Sequence, residues 1–227
     1  MLRKWEELPD FMKTEAVRPY YDILSKKKKA LMVKRVFDIV MAASLLILLS
    51  PVMLVIAIAV KLDSKGEVFF RQERVTQYGK IFKIYKFRTM VKDADKLGSQ
   101  VTTKNDARVT RIGRFLRKYR LDETAQLFNV LSGDMSFVGT RPEVPKYVER
   151  YTDEMYATLL LPAGITSEAS IMYKDEEKLL AEAESADDVY LNHVLPEKMK
   201  FNLKALRNIS VHTDMITMAK TACALSD

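Results

Sequence analysis

The sequence predicts an α+β, mainly helical protein in which a membrane-embedded helical segment precedes a compact domain with a small β-hairpin and surface amphipathic helices. Three observations predict it. Residues 39–60 form an uncharged apolar run, two β-prone runs flank Thr76–Gly79, and an apolar stripe at helical spacing lies between Ile112 and Val130. The 227 residues suit one domain with an appended segment. They divide into a basic lead (1–33), a membrane segment (34–62), a core (63–171) and C-terminal amphipathic helices (172–227).

The apolar run, IVMAASLLILLSPVMLVIAIAV, has 22 residues and no charge. As a helix it extends about 33 Å, enough for a hydrocarbon core of about 30 Å. It starts too late and runs too long for a secretory signal, and no small-residue cleavage site follows. Ser50-Pro51 falls at its centre, where proline removes a backbone hydrogen bond. Basic residues flank both ends: Lys26 to Lys29, Lys34 and Arg35 before it, and Lys61, Lys65, Arg71 and Arg74 after it. Positive charge on both sides gives no orientation. The residues alone therefore fit a re-entrant helix broken at Ser50-Pro51 and a kinked single span equally. Asp38, at the mouth of the run, is expected to pair with Arg35 three residues earlier.

Composition narrows the chemistry. There are 37 Lys+Arg against 30 Asp+Glu, a net charge of +7, which suits a polyanionic partner: nucleic acid, anionic lipid or a phosphorylated substrate. Cys223 is the only cysteine, which excludes a disulfide framework and a Cys-based zinc site. Only His193 and His212 are present, so a His-rich metal site or a Ser/His/Asp hydrolase is disfavoured. A divalent metal would sit on oxygen ligands, as magnesium or manganese does.

The two β-prone runs, VFFRQERV and KIFKIYKFRTM, read as a hairpin around Thr76-Gln77-Tyr78-Gly79. The second interleaves Lys83, Lys86 and Arg88 with Phe82, Tyr85 and Phe87. That pattern serves single-stranded nucleic acid, a lipid interface or phosphates. Asp93-Ala94-Asp95 imitates the DxD metal motif of nucleotide-sugar glycosyltransferases, although Lys92 and Lys96 beside it suggest a solvated turn.

The most informative stretch is RVTRIGRFLRKYRLDETAQLFNVLSGDMSFVGTRPE, residues 108–143. On a helix, Ile112, Leu116, Tyr119, Leu127 and Val130 form one apolar stripe. Glu123 takes a stripe position with Asp122 beside it, close to Arg108, Arg111, Arg114, Arg117, Lys118 and Arg120. A carboxylate pair where packing wants a hydrophobe is unexplained by folding alone. A helix cap at Asp122, or structural salt bridges, would account for it without chemistry. MSFVG reads as a short strand, and Arg141 is held extended by Pro142, an orientation suited to bidentate phosphate binding.

In combination, KRVFDIVMAASLLILLSPVMLVIAIAVKLDSKG, RQERV, KIFKIYKFRTM and the 108–143 segment resemble the bacterial sugar transferases, monotopic phosphoglycosyl transferases, over about Lys34 to Glu143. The resemblance implies a re-entrant helix broken at Ser50-Pro51 and a catalytic domain on the cytoplasmic face of the membrane. It also implies an Asp122-Glu123 dyad, Mg²⁺ bound at Asp122, and Arg88, Arg117 and Arg141 as substrate-binding residues. The implied partners are a UDP-sugar donor, a polyprenol phosphate acceptor and membrane lipid, with no nucleic acid and with room for a homodimer. The implied reaction moves a sugar 1-phosphate from donor to acceptor, releasing UMP, as the first membrane step of a surface glycan pathway.

Two departures stand out. Gly-Thr140-Arg141-Pro142 replaces the family's Gly-Pro-Arg-Pro, and Leu161-Pro162-Ala163-Gly164-Ile165-Thr166-Ser167-Glu168 lacks the usual basic residue and tryptophan. The second leaves the identity of the sugar open. The competing readings are a glycosyltransferase using Asp93 and Asp95, and a non-catalytic basic module binding anionic lipid or nucleic acid.

Overall fold

The computed structural model describes residues 2–94, 106–176 and 185–226. It is mostly helical with two small sheets. The first helix, α1 (Arg18–Lys26), has proline in its opening turn and buries Tyr20, Tyr21 and Leu24 in a core with Leu160, Leu203 and Leu206.

Helix α2 (Lys28–Asp63) has 36 residues, a length of about 54 Å. It runs through Pro51, so the break expected at Ser50-Pro51 is not an interruption of the helix. Pro51 has no N–H to offer the Ile47 carbonyl, and the Ser50 hydroxyl donates to that carbonyl instead, at 2.8 Å. Such a substitute matters most where no water can reach the backbone. One stripe of α2 (Lys34, Asp38, Ala42, Met53, Ile56 and Val60) is buried against the body. Ala42 packs with Phe82, Val130 and Met135, and Met53, Ile56 and Val60 pack with Phe87, Leu116 and Ala125. The outward face carries exposed Ile47, Leu48, Leu54, Val55 and Leu62. The helix is long and apolar enough to cross a membrane.

The Arg35–Asp38 pair expected from their spacing does not form. Arg35 donates to the carbonyls of Val130 (2.6 Å) and Leu131 (2.9 Å), and Asp38 accepts from the Phe137 N–H (3.3 Å). Lys34 pairs with Asp214 at 2.5 Å and donates to the Val138 carbonyl. These tertiary partners win because a one-turn pair on a helix surface is worth only about 0.2–0.5 kcal/mol, whereas buried polar groups left unpaired cost more.

The hairpin appears as expected: β1 (Phe69–Val75) runs antiparallel to β2 (Ile81–Phe87), with Val75 opposite Ile81. The apolar stripe is not one helix. Helix α3 (Arg111–Lys118) stops, Arg120 adopts a left-handed conformation (φ 54°), a 3-10 turn spans Leu121–Gln126, and α4 (Leu127–Ser132) follows. Tyr119 is consequently 54% exposed rather than part of a seam. Strand β3 (Met135–Val138) follows α4.

After α5 (Pro145–Val148) comes β4 (Ala163–Thr166), parallel to β3, within the segment 161–168 that departs from the family pattern. Then follow α6 (Glu168–Met172), α7 (Ala186–Val189), a π-turn over Tyr190–Val194, α8 (Leu195–Arg207) and α9 (Val211–Ser226). Just past β3, the chain meets β4 backbone against backbone: Gly139 N–H donates to Thr166 O (3.0 Å) and Gly164 N–H to Thr140 O (2.8 Å). A Cβ on Gly164 would lie 2.2 Å from the Gly139 nitrogen. Gly164→Ala is therefore expected to destabilise the fold by about 3 kcal/mol, read as a lowered unfolding midpoint in detergent. An unchanged midpoint would show that the two segments can separate freely.

Candidate active site

The site is assembled on the turn between α3 and α4. Helix α3 is fixed at its start by Thr110 Oγ1, which accepts from Gly113 N–H (3.0 Å), and by Asp63 at the end of α2, which accepts from Ile112 N–H (2.9 Å). The left-handed Arg120 then redirects the chain, so that Asp122, Ala125 and Gln126 form the buried face of the 3-10 turn. Asp122 is 7% exposed and Gln126 is fully enclosed.

Glu123 lies between two cations. Lys86 of β2 donates to its Oε1 at 2.8 Å, and Arg141, three residues beyond β3, donates to the same oxygen at 2.7 Å. Burial works against ionising Glu123, but the charges and hydrogen bonds of Arg141 and Lys86 outweigh it and hold this carboxyl well below the usual range. Glu123 in turn raises the Arg141 guanidinium. Asp122 behaves oppositely. Burial pushes its carboxyl up, the charge of Lys86 pulls it back, Glu123 adds to the rise, and Arg117 in the last turn of α3 lowers it. Asp122 Oδ1 is buried without a hydrogen-bond partner.

Of the residues singled out in the sequence, Glu123 and Arg141 are thus bonded directly, Asp122 sits beside them, and Arg117 acts on Asp122 through its charge. Arg88 is placed elsewhere. Its guanidinium donates to the carbonyls of Val60 (3.2 Å), Ser64 (2.7 Å) and Glu67 and to the Ser64 hydroxyl (3.0 Å), fastening the C-terminal end of α2. Ser50 and Pro51 lie within α2. Asp93 occupies an exposed left-handed turn (φ 59°), and Asp95 lies outside the described residues.

Lys86 was the missed partner. The alternation of β2 puts Lys86 and Arg88 on one face, opposite Lys83, and cannot say which of the two meets the dyad. Behind Arg141 lies a second buried polar group: the Tyr190 hydroxyl donates to Glu143 (2.6 Å), Arg74 donates to the Pro142 carbonyl (3.1 Å), and Lys198 pairs with Glu176 (2.8 Å). Among the described residues, no cluster of three or more His, Cys, Asp or Glu could hold a metal ion.

Fold and site together define a domain bound to a long apolar helix and carrying a buried, asymmetrically paired carboxylate dyad. The chain belongs to the bacterial sugar transferase family, whose model matches residues 29–227. It is 37% identical over 193 residues to the UDP-N-acetylgalactosamine-undecaprenyl-phosphate N-acetylgalactosaminephosphotransferase of Aeromonas hydrophila, covering 83% of this chain and 42% of that protein. It is 44% identical over 135 residues to a putative undecaprenyl-phosphate N-acetylgalactosaminyl 1-phosphate transferase of Bacillus subtilis (60% and 75% covered). It is also 41% identical over 194 residues to the UDP-glucose:undecaprenyl-phosphate glucose-1-phosphate transferase of Escherichia coli K12 (83% and 41%). The match therefore spans about two fifths of the Aeromonas and Escherichia relatives. The family and the apolar helix together indicate a membrane location.

Lys86 is the largest charge holding the Asp122 carboxyl down. In Lys86→Met, Asp122 is expected to stay protonated to higher pH, moving the acid limb of the pH–activity profile upward. An acid limb that stays in place or moves down would reject this electrostatic reading.

Proposed function

We propose that this protein transfers a sugar 1-phosphate from a UDP-sugar to a polyprenol phosphate, such as undecaprenyl phosphate, and so starts a surface glycan or glycoconjugate. The observation that carries the reading is the asymmetric dyad. Glu123 is neutralised by two cations, while Asp122, its neighbour, keeps a buried carboxylate oxygen, Oδ1, without a hydrogen-bond partner. The names of the three relatives point to the same chemistry.

In the proposed reaction an Asp122 carboxylate oxygen attacks the β-phosphorus of the donor. The bond from that phosphorus to the bridging oxygen breaks, and its electron pair leaves with UMP. An oxygen of polyprenol phosphate then attacks the same phosphorus, and the bond to Asp122 breaks. This restores the carboxylate and yields polyprenol-diphosphate-sugar. Arg117 and Arg141 offset the repulsion between Asp122 and the anionic diphosphate. Glu123 holds Lys86 and Arg141 in place for that task, and its low pKa makes it an orienting group rather than a base.

The residues fit Mg²⁺, which is commonly held by one or two carboxylates together with substrate phosphates and water. Asp122 would be its protein ligand, and the ion would neutralise diphosphate charge. A glycosyltransferase reading would need Asp93, which stands apart from the dyad in an exposed turn.

We also propose that α2 enters and leaves the membrane on the cytoplasmic face, where the domain lies. The support is that both ends are tied to one body: Lys34 and Arg35 to β3, α4 and α9, and Val60, Asp63 and Ser64 to Arg88 and α3. A spanning helix would carry one of those ends to the far side of the bilayer, out of reach of that body.

Two experiments test these readings. Wild-type protein in detergent with Mg²⁺ and a panel of UDP-sugars is expected to release UMP and to retain sugar label, both abolished in Asp122→Asn. Release of UDP instead of UMP would reject sugar-phosphate transfer. In a Cys223→Ser background, Lys27→Cys and Lys65→Cys are expected to react with an impermeant maleimide from the same side of inverted vesicles. Labelling from opposite sides would establish a span.

A further inference from the structure

Among the described residues, four buried side-chain polar atoms have no hydrogen-bond partner. One is Arg88 Nε, on a guanidinium otherwise well engaged. The other three are Asp122 Oδ1 and both amide atoms of Gln126, all on the same six-residue turn. Buried amides are almost always paired, and one with neither its donor nor its acceptor satisfied calls for a functional or structural cause. Packing supplies none. Gln126 is fully enclosed between Ala125 and Leu127, themselves core residues, and an apolar side chain of the same length would fill the space without leaving polar atoms unpaired.

Gln126 and Asp122 are both buried on this turn, four positions apart. The amide offers two N–H donors, and the carboxylate oxygen needs one. Catalytic hydrogen bonds are often unmade without substrate and tighten in the loaded complex. We infer that Gln126 is a positioning residue for Asp122: in the substrate-bound enzyme its Nε2–H donates to Asp122 Oδ1, fixing the carboxylate so that the other oxygen, Oδ2, faces the donor phosphorus. The role is distinct from that of Glu123, whose bonds hold cations. It rests on the proposed nucleophilic role of Asp122.

The test is Gln126→Met, which keeps length and removes both polar atoms. The expected result is an unfolding midpoint equal to or above wild type, together with a kcat for UMP release lowered about 10- to 100-fold and a KM for the UDP-sugar within about twofold. A purely structural glutamine would not give that split. Three results overturn the inference: kcat retained, KM raised with kcat unchanged, or a lowered midpoint, which would show that the amide is bonded within the fold. Gln126→Leu, measured alongside, guards against a methionine-specific packing effect, and retained kcat in either variant counts against the inference. If wild-type protein releases no UMP from any UDP-sugar, the transfer reading fails and this inference with it. Wild-type release with an equally active Gln126→Met overturns the inference alone.

Discussion

The structure depends most on a single carboxylate oxygen. Glu123 Oε1 accepts from Lys86 and from Arg141, so three separate pieces of chain converge there: the hairpin strand β2, the 3-10 turn between α3 and α4, and the loop leaving β3. An exposed ion pair would add about 0–1 kcal/mol and fix little. The Glu123 side chain is only 12% exposed, and removing one partner from so buried a group costs about 3–5 kcal/mol. The clamp therefore acts as a geometric constraint. It sets where the Arg141 guanidinium sits relative to Asp122, and Pro142 and the Arg74 bond to its carbonyl set it from the other side.

The second constraint is the fastening of α2. A helix with an apolar outward face gains nothing from water on that side, so its orientation on the domain must come from polar anchors on the inward side. The sequence places such groups near both ends, and the fold uses them against backbone rather than against one another. Arg35 satisfies carbonyls at the C-terminus of α4, Arg88 satisfies those at the C-terminus of α2, and Asp63 caps α3. Because α3 leads directly into the dyad turn, the end of the membrane helix and the site are joined by one short helix. A shift of α2 reaches Asp122 along two routes, through the eight residues of α3 and through the packing of Met53, Ile56 and Val60 on Ala125 of the dyad turn.

This also explains what could be read in advance. The apolar run and the hairpin were legible because each obeys a local rule, absence of charge and alternation about a turn, whereas the acid pair was singled out against an apolar stripe that the fold interrupts at Arg120. The Arg35–Asp38 pair misled because spacing registers neighbours within a helix and is blind to carbonyls brought in by α4. Strand β4 was invisible for a related reason. It has four residues, one of them glycine, and its only partner among the described residues is a parallel strand far back in sequence. Lys86 and Arg88 are two residues apart and chemically alike, yet one meets the dyad and the other a helix end. Only the end of β2, where the ladder stops at Phe87, separates them. The continuous stripe from Ile112 to Val130 concealed the left-handed Arg120, since a conformational break at a non-glycine residue leaves no mark in hydrophobic periodicity.

Two neighbouring carboxylates with opposite pKa directions usually divide the work of a site, and on the proposed reading the division here follows from pairing rather than from burial, since both are largely buried. Glu123 has its charge matched twice over, so it is ionised throughout the useful pH range and has no spare affinity for a proton or a phosphorus. Asp122 has burial and the neighbouring Glu123 charge against it and one oxygen without a hydrogen-bond partner, which makes its ionised form costly in the resting protein despite the charges of Lys86 and Arg117. That cost would be relieved by whatever positive field and hydrogen-bond donors arrive with the donor substrate, so it weighs more on the resting state than on the reacting complex. Only interactions stronger in the transition state than in the ground state speed a reaction. An under-solvated carboxylate beside a satisfied one is an arrangement that meets this condition, and the reverse assignment, with Glu123 as nucleophile, would first require breaking the clamp that holds the site together.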